Sequence, residues 1–77
     1  MKYQCRFKPG DRIAVWVTHR QDVYEGDFGT VIETIPPVTK NSNVWLVTAI
    51  LDTGIKLSEY HEGVFVHERN YDPNIPF

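Results

Sequence analysis

Val44-Trp45-Leu46-Val47-Thr48-Ala49-Ile50-Leu51 runs into Asp52-Thr53-Gly54 and then Ile55-Lys56-Leu57, and the architecture follows from this segment. The run from Val44 carries no charge and no proline and is rich in β-branched and aromatic side chains. A run of this length and composition predicts a strand buried on much of both faces. Asp-Thr-Gly is a three-residue hairpin connection, with Gly54 free to adopt the left-handed conformation at its last position. Ile55-Lys56-Leu57 returns as an alternating partner strand. A small β-barrel built on this hairpin is the expectation.

Working upstream, Phe28-Gly29-Thr30-Val31-Ile32-Glu33-Thr34-Ile35 reads as a strand that Pro36-Pro37 ends by removing two ladder donors in succession. Gly29 marks a bulge or a close backbone approach. Val31 and Ile35 share their parity with Glu33, so a bend or register change is expected there. Arg12-Ile13-Ala14-Val15-Trp16-Val17 is another strand, with Ile13, Val15 and Val17 toward the core and Trp16 on the opposite face with Arg12 and Ala14. Pro9-Gly10-Asp11 before it is a turn. Residues 1–8 alternate loosely and suit an extended lead-in at a sheet edge, with Tyr3, Cys5 and Phe7 on one parity. Between the two strands, residues 18–27 are polar and lack an apolar period, which predicts a long loop of the kind that carries binding.

Downstream of Leu57, Ser58-Glu59-Tyr60-His61-Glu62-Gly63 reads as one helical turn, capped by Ser58 and terminated by Gly63. Residues 64–68 would be the closing strand. Residues 39–43 form a second exposed loop. The expected organisation is one domain over residues 1–69 and an arm over residues 70–77, either frayed or laid across the barrel.

At 77 residues with a single cysteine, Cys5, the chain has no intrachain disulfide and no cysteine-based metal cluster. Its core is thin, so compactness must come from sheet closure, from homo-oligomerisation, or from both. Cys5 is expected to be a half-buried, inert thiol, which fits a reducing compartment. No signal-peptide-like run and no stretch long enough to span a membrane is present, so a cytoplasmic location is expected. Eight Lys and Arg against ten Asp and Glu give a net charge of −2, which offers no general basic stripe for a phosphate backbone.

The aromatics Trp16, Tyr24, Trp45 and Tyr60 are the strongest functional candidates, because tyrosine and tryptophan give large contact area at low entropic cost. In the opposing reading, some of them plug the ends of a thin barrel. Asp22 and Glu25 lie near them in sequence, and carboxylates beside aromatic faces attract Lys or Arg on a partner. His19, His61 and His67, taken with Glu59, Glu62 and Glu68, follow no recognised ligand spacing, so no metal is expected. No nucleophile–base arrangement and no phosphate-cradling glycine loop occurs, so neither a cofactor nor catalysis is expected.

Phe7-Lys8-Pro9-Gly10-Asp11-Arg12-Ile13-Ala14-Val15 and Tyr24-Glu25-Gly26-Asp27-Phe28-Gly29-Thr30-Val31 together resemble the opening of SH3-like barrels of the KOW and Tudor-like kind. Leu51-Asp52-Thr53-Gly54-Ile55-Lys56-Leu57 is similar to their third hairpin. Residues 60–66 are similar to the short helical turn before their last strand. The resemblance covers about residues 7–68 and rests on turn chemistry, so it implies a fold more than a function. It implies an all-β, small SH3-like barrel of about five strands, with one short helical turn before the last.

The function expected is a non-catalytic protein-interaction or complex-accessory module that binds a protein partner through the loops of residues 18–27 and 39–43 and through Trp16, Tyr24, Trp45, Tyr60, Asp22 and Glu25. The KOW-like alternative is a nucleic-acid or ribosome-associated domain contacting phosphates through Lys2, Arg6, Lys8, Arg12, Arg20 and Lys40. A third reading is an oligomeric enzyme with an interface pocket, resembling the plasmid-type dihydrofolate reductases, which also open on a Gly-Asp-Arg turn. Their Val-Gln-Ile-Tyr strand has its nearest counterpart here in Gly54-Ile55-Lys56-Leu57, without the glutamine and tyrosine.

Overall fold

The computed structural model describes residues 4–39, 43–72 and 74. The fold is all-β. Strands β1 (Arg12–Val15), β2 (Phe28–Ile35), β3 (Leu46–Leu51), β4 (Lys56–His61) and β5 (Phe65–His67) form one antiparallel sheet in the order β4-β3-β2-β1-β5. Two 3-10 turns, Glu62–Val64 and Glu68–Asn70, are the helical pieces among the described residues. The first of them stands directly before the last strand.

The order forces the sheet to curl. In a flat sheet β4 and β5 would lie about 19 Å apart, four spacings of nearly 5 Å. The chain from His61 to Phe65 spans at most about 14 Å. Curling encloses Ile13, Val15, Val31, Val47, Ala49, Leu51, Leu57 and Phe65 as a core, joined by Phe7 and Val23 from outside the strands.

The central hairpin forms as its residues dictate. Leu51 N–H donates to the Ile55 carbonyl at 2.8 Å, and Gly54 takes a φ of +97°. Gly29 is a close approach: a Cβ there would lie 2.7 Å from the Ile50 carbonyl oxygen and 2.9 Å from Leu51 Cα. The expected register change in β2 is a bulge, since Val31 pairs with Ala49 and Glu33 with Thr48, leaving Ile32 as the extra residue.

Other expectations are corrected. β3 starts at Leu46, with Val44 and Trp45 ahead of it. β1 stops at Val15, and Val17 is 38% exposed instead of joining the core. Both Trp16 N–H and Val17 N–H turn to the Val64 carbonyl, which breaks the alternation that would have buried Val17.

Residues 58–61 belong to β4 and not to a helical turn, so Ser58 caps nothing. The reason is a second bulge. Leu57 pairs with Ala49 and Tyr60 with Val47, so Ser58 and Glu59 together oppose Thr48. Glu59 adopts a left-handed φ of 56°, and its N–H donates to Thr48 Oγ1 at 3.0 Å. The turn that follows is capped by His61, whose Nδ1 accepts from Gly63 N–H at 2.8 Å. The lead-in does not join the sheet over residues 4–8 and instead sends Phe7 into the core, edge-on to Phe65.

Candidate functional site

The connection from β1 to β2 is the longest described excursion from the sheet, and it is anchored along its length. Val23 sits in the core, although the surrounding polarity offered no sign of it. Gly26 N–H donates to the Val15 carbonyl, and Val15 N–H to the Asp27 carbonyl, both at 2.8 Å. Tyr24 and Asp27 close a turn on each other: Asp27 N–H donates to the Tyr24 carbonyl, and Tyr24 N–H to Asp27 Oδ2 at 2.9 Å. Arg20 forks onto Asp22, with Nε and Nη2 donating at 2.9 and 2.6 Å, while Thr18 Oγ1 accepts from Arg20 N–H. Asp22 first, and the Tyr60 hydroxyl second, hold the Arg20 guanidinium firmly in its charged form. Arg20 in turn keeps the Asp22 carboxyl below its ordinary range.

On this clamped loop Tyr24 is 69% exposed, and Glu25 beside it is exposed as well. The other expected aromatics have different settings. Trp16 is half-buried and meets Tyr71 edge-on, with ring centres 6.5 Å apart; Tyr71 meets Phe28 the same way at 6.1 Å. Tyr60 is half-buried and packs on the core. Trp45 is half-buried just ahead of β3, its carbonyl accepting from Glu62 N–H at 3.1 Å. Phe28 and Tyr71 are the aromatics that the sequence reading missed. The arm assignment concealed Tyr71, whose ring lies beside Gly26.

The six expected phosphate contacts divide. Lys2 and Lys40 lie outside the described residues. Arg12 grips Asp52 through two bonds of 2.9 and 2.7 Å, reaches Glu68 at 3.3 Å and donates to Thr30 Oγ1. Asp52 and then Glu68 raise the Arg12 pKa further, and Arg12 holds the Asp52 carboxyl below its ordinary range. Arg20 is paired with Asp22, as above.

Arg6 and Lys8 instead border a hollow of about 350 Å³. His67 and Arg69 complete its basic lining, Asp11 is the acid in it, and Cys5 and Phe7 form its apolar part. Burial pushes the Cys5 thiol above its ordinary value, so the thiolate is scarce there. Glu62 is buried beneath this segment at 5% exposure, with Oε2 accepting from Arg6 N–H at 3.2 Å.

Among the described residues no three His, Cys, Asp or Glu side chains gather as metal ligands, and no helix is long and apolar enough to cross a membrane. No known protein family, curated protein or solved structure matches the chain.

Proposed function

We propose that the protein is a small non-catalytic binding module that engages a protein partner through the loop of residues 18–27, with Tyr24 and Glu25 as the direct contacts. The observation that carries this reading is a tyrosine 69% exposed on a loop already fixed by a buried valine and reciprocal turn bonds. An aromatic ring left in water on an ordered loop is poised for contact, because the ordering cost of the segment has been met in the free protein. Glu25 beside the ring favours a partner presenting Lys or Arg, by ion pairing and cation–π contact. Asp22 serves the loop through Arg20, and Trp16 supports it through Tyr71.

The order β4-β3-β2-β1-β5 and the 3-10 turn before β5 support assigning the fold to the SH3-like barrels. A cytoplasmic setting belongs to the same proposal, supported by the single cysteine. The nucleic-acid alternative has weaker support, since Arg12 and Arg20 direct their guanidinium donors to carboxylates of the same chain.

An array of Lys- and Arg-containing peptides, probed with wild type and with Tyr24→Ala and Glu25→Gln, tests the reading. Loss of an exposed aromatic anchor is worth about 1–2 kcal/mol, so Tyr24→Ala should weaken capture by roughly 5- to 30-fold. The dichroism spectrum should stay unchanged. Undiminished capture by both variants would overturn it, and single-stranded RNA binding with a steep salt slope would favour the alternative.

A further inference from the structure

We infer that the hollow beside the amino-terminal end of β1 is a binding site for a phosphate-bearing small molecule, independent of the loop of residues 18–27 at the other end of that strand. The protein carries more acid than base, with a net charge of −2. Lys56 apart, its described Lys and Arg side chains nevertheless fall into two groups. The side-chain ion pairs among described residues belong to Arg12 and Arg20. Arg6, Lys8 and Arg69 form none with a described residue, and all three border the same hollow with His67. Three cationic side chains against Asp11 in the lining and Glu62 beneath it leave the concavity net positive, and a net positive concavity concentrates anions.

The walls are preorganised. Arg6 Nη2 donates to the Glu62 carbonyl at 3.0 Å, which fixes the guanidinium, and its carbon lies 5.2 Å from the Phe7 ring centre. His67 Nε2 donates to the Arg6 carbonyl at 3.1 Å, and its ring centre stands 4.7 Å from that of Phe7. Asp11, the acid in the lining, is oriented by the turn, its Oδ2 accepting from Lys8 N–H at 3.1 Å, and the three cations outnumber it. Guanidinium and ammonium donors suit a phosphate dianion through charge-assisted bonds. A volume of about 350 Å³ lies in the range of small-ligand sites, so a phosphomonoester fits as well as free phosphate.

The test is a titration of the full chain, followed by amide NMR shifts, with inorganic phosphate, a nucleoside 5′-monophosphate, the unphosphorylated nucleoside and a short single-stranded RNA. Saturable shifts centred on Lys8, Asp11, His67 and Arg69 are expected with the first two, in the millimolar range for so few contacts. The nucleoside should give none. Tighter binding of the monophosphate than of phosphate identifies a phosphomonoester, and equal binding identifies free phosphate.

Lys8→Ala and Arg69→Ala change exposed side chains, so the fold should persist, and each should weaken binding by about tenfold. Three results would overturn the site. These are no saturable shift with either phosphate compound, shifts that survive in the Lys8→Ala/Arg69→Ala double variant, or a response to RNA alone that spreads over Arg12 and Arg20.

Discussion

Gly10, Gly26 and Gly54 hold φ values of +96°, +92° and +97°, so alanine at any of them meets the same left-handed backbone penalty of about 1–2 kcal/mol. Their surroundings differ. At Gly10 and Gly54 an added methyl would find nothing within 4 Å, whereas at Gly26 it would lie 2.6 Å from Tyr71 Oη and 3.1 Å from Cζ. Contacts that short are not tolerated, and the ring is the part able to move.

Moving the ring disturbs its edge-on contacts with Trp16 and Phe28, each worth about 0.5–1.5 kcal/mol. Gly26→Ala should therefore cost about 2–5 kcal/mol, against about 1–2 kcal/mol for Gly10→Ala or Gly54→Ala. Urea denaturation followed by tryptophan fluorescence measures all three, and Tyr71→Ala completes a double-mutant cycle. In that background the cost of Gly26→Ala should fall to that of Gly10→Ala, a coupling of about 1–3 kcal/mol. An unchanged cost with Tyr71 absent would refute the argument, as would equal costs at all three glycines. Tyr71 would then not pack against Gly26.

Gly29→Ala should be the most damaging glycine change, because its methyl would meet main-chain atoms of Ile50 and Leu51, which cannot move without parting β2 from β3. A loss of about 3 kcal/mol or more, visible as an early denaturation midpoint, is expected. Glu59→Gly should raise stability by up to about 1 kcal/mol by relieving the left-handed glutamate, while Glu59→Val should lower it, both read by chemical denaturation. Arg12 depresses the Asp52 carboxyl below its ordinary 3.8, so the stabilisation it brings is complete above that value and is lost as pH falls through the lower folded value. An NMR titration of Asp52 should find its midpoint below 3.8, Arg12→Ala should return it toward 3.8, and added salt should shrink the difference because both side chains are exposed.

What could be read along the chain was chemistry that acts over a few residues. The Asp-Thr-Gly hairpin, the Pro-Gly-Asp turn, both ends of β2 and its bulge near Glu33 were all legible from turn residues and side-chain parity. The helical reading of residues 58–63 failed for the converse reason. Locally, Ser-Glu-Tyr-His-Glu-Gly does resemble a capped turn, but pairing with Val47 and Ala49 drew it into β4 and left Glu59 to absorb the misfit. In the candidate site, Val23 anchors the loop from within and leaves the neighbouring Tyr24 in solvent, a division that two adjacent apolar residues in a polar stretch do not reveal.

An all-β chain, its principal turns and the polar excursion that carries Tyr24 follow from residue order, because glycine, proline and alternation constrain only near neighbours. The tertiary structure alone decided that Tyr71 covers Trp16 and Phe28, that Arg12 is claimed by Asp52 and Glu68, and that Arg6, Lys8, His67 and Arg69 share a hollow. Those meetings join side chains dozens of residues apart, and curling of the sheet is what brings them within reach.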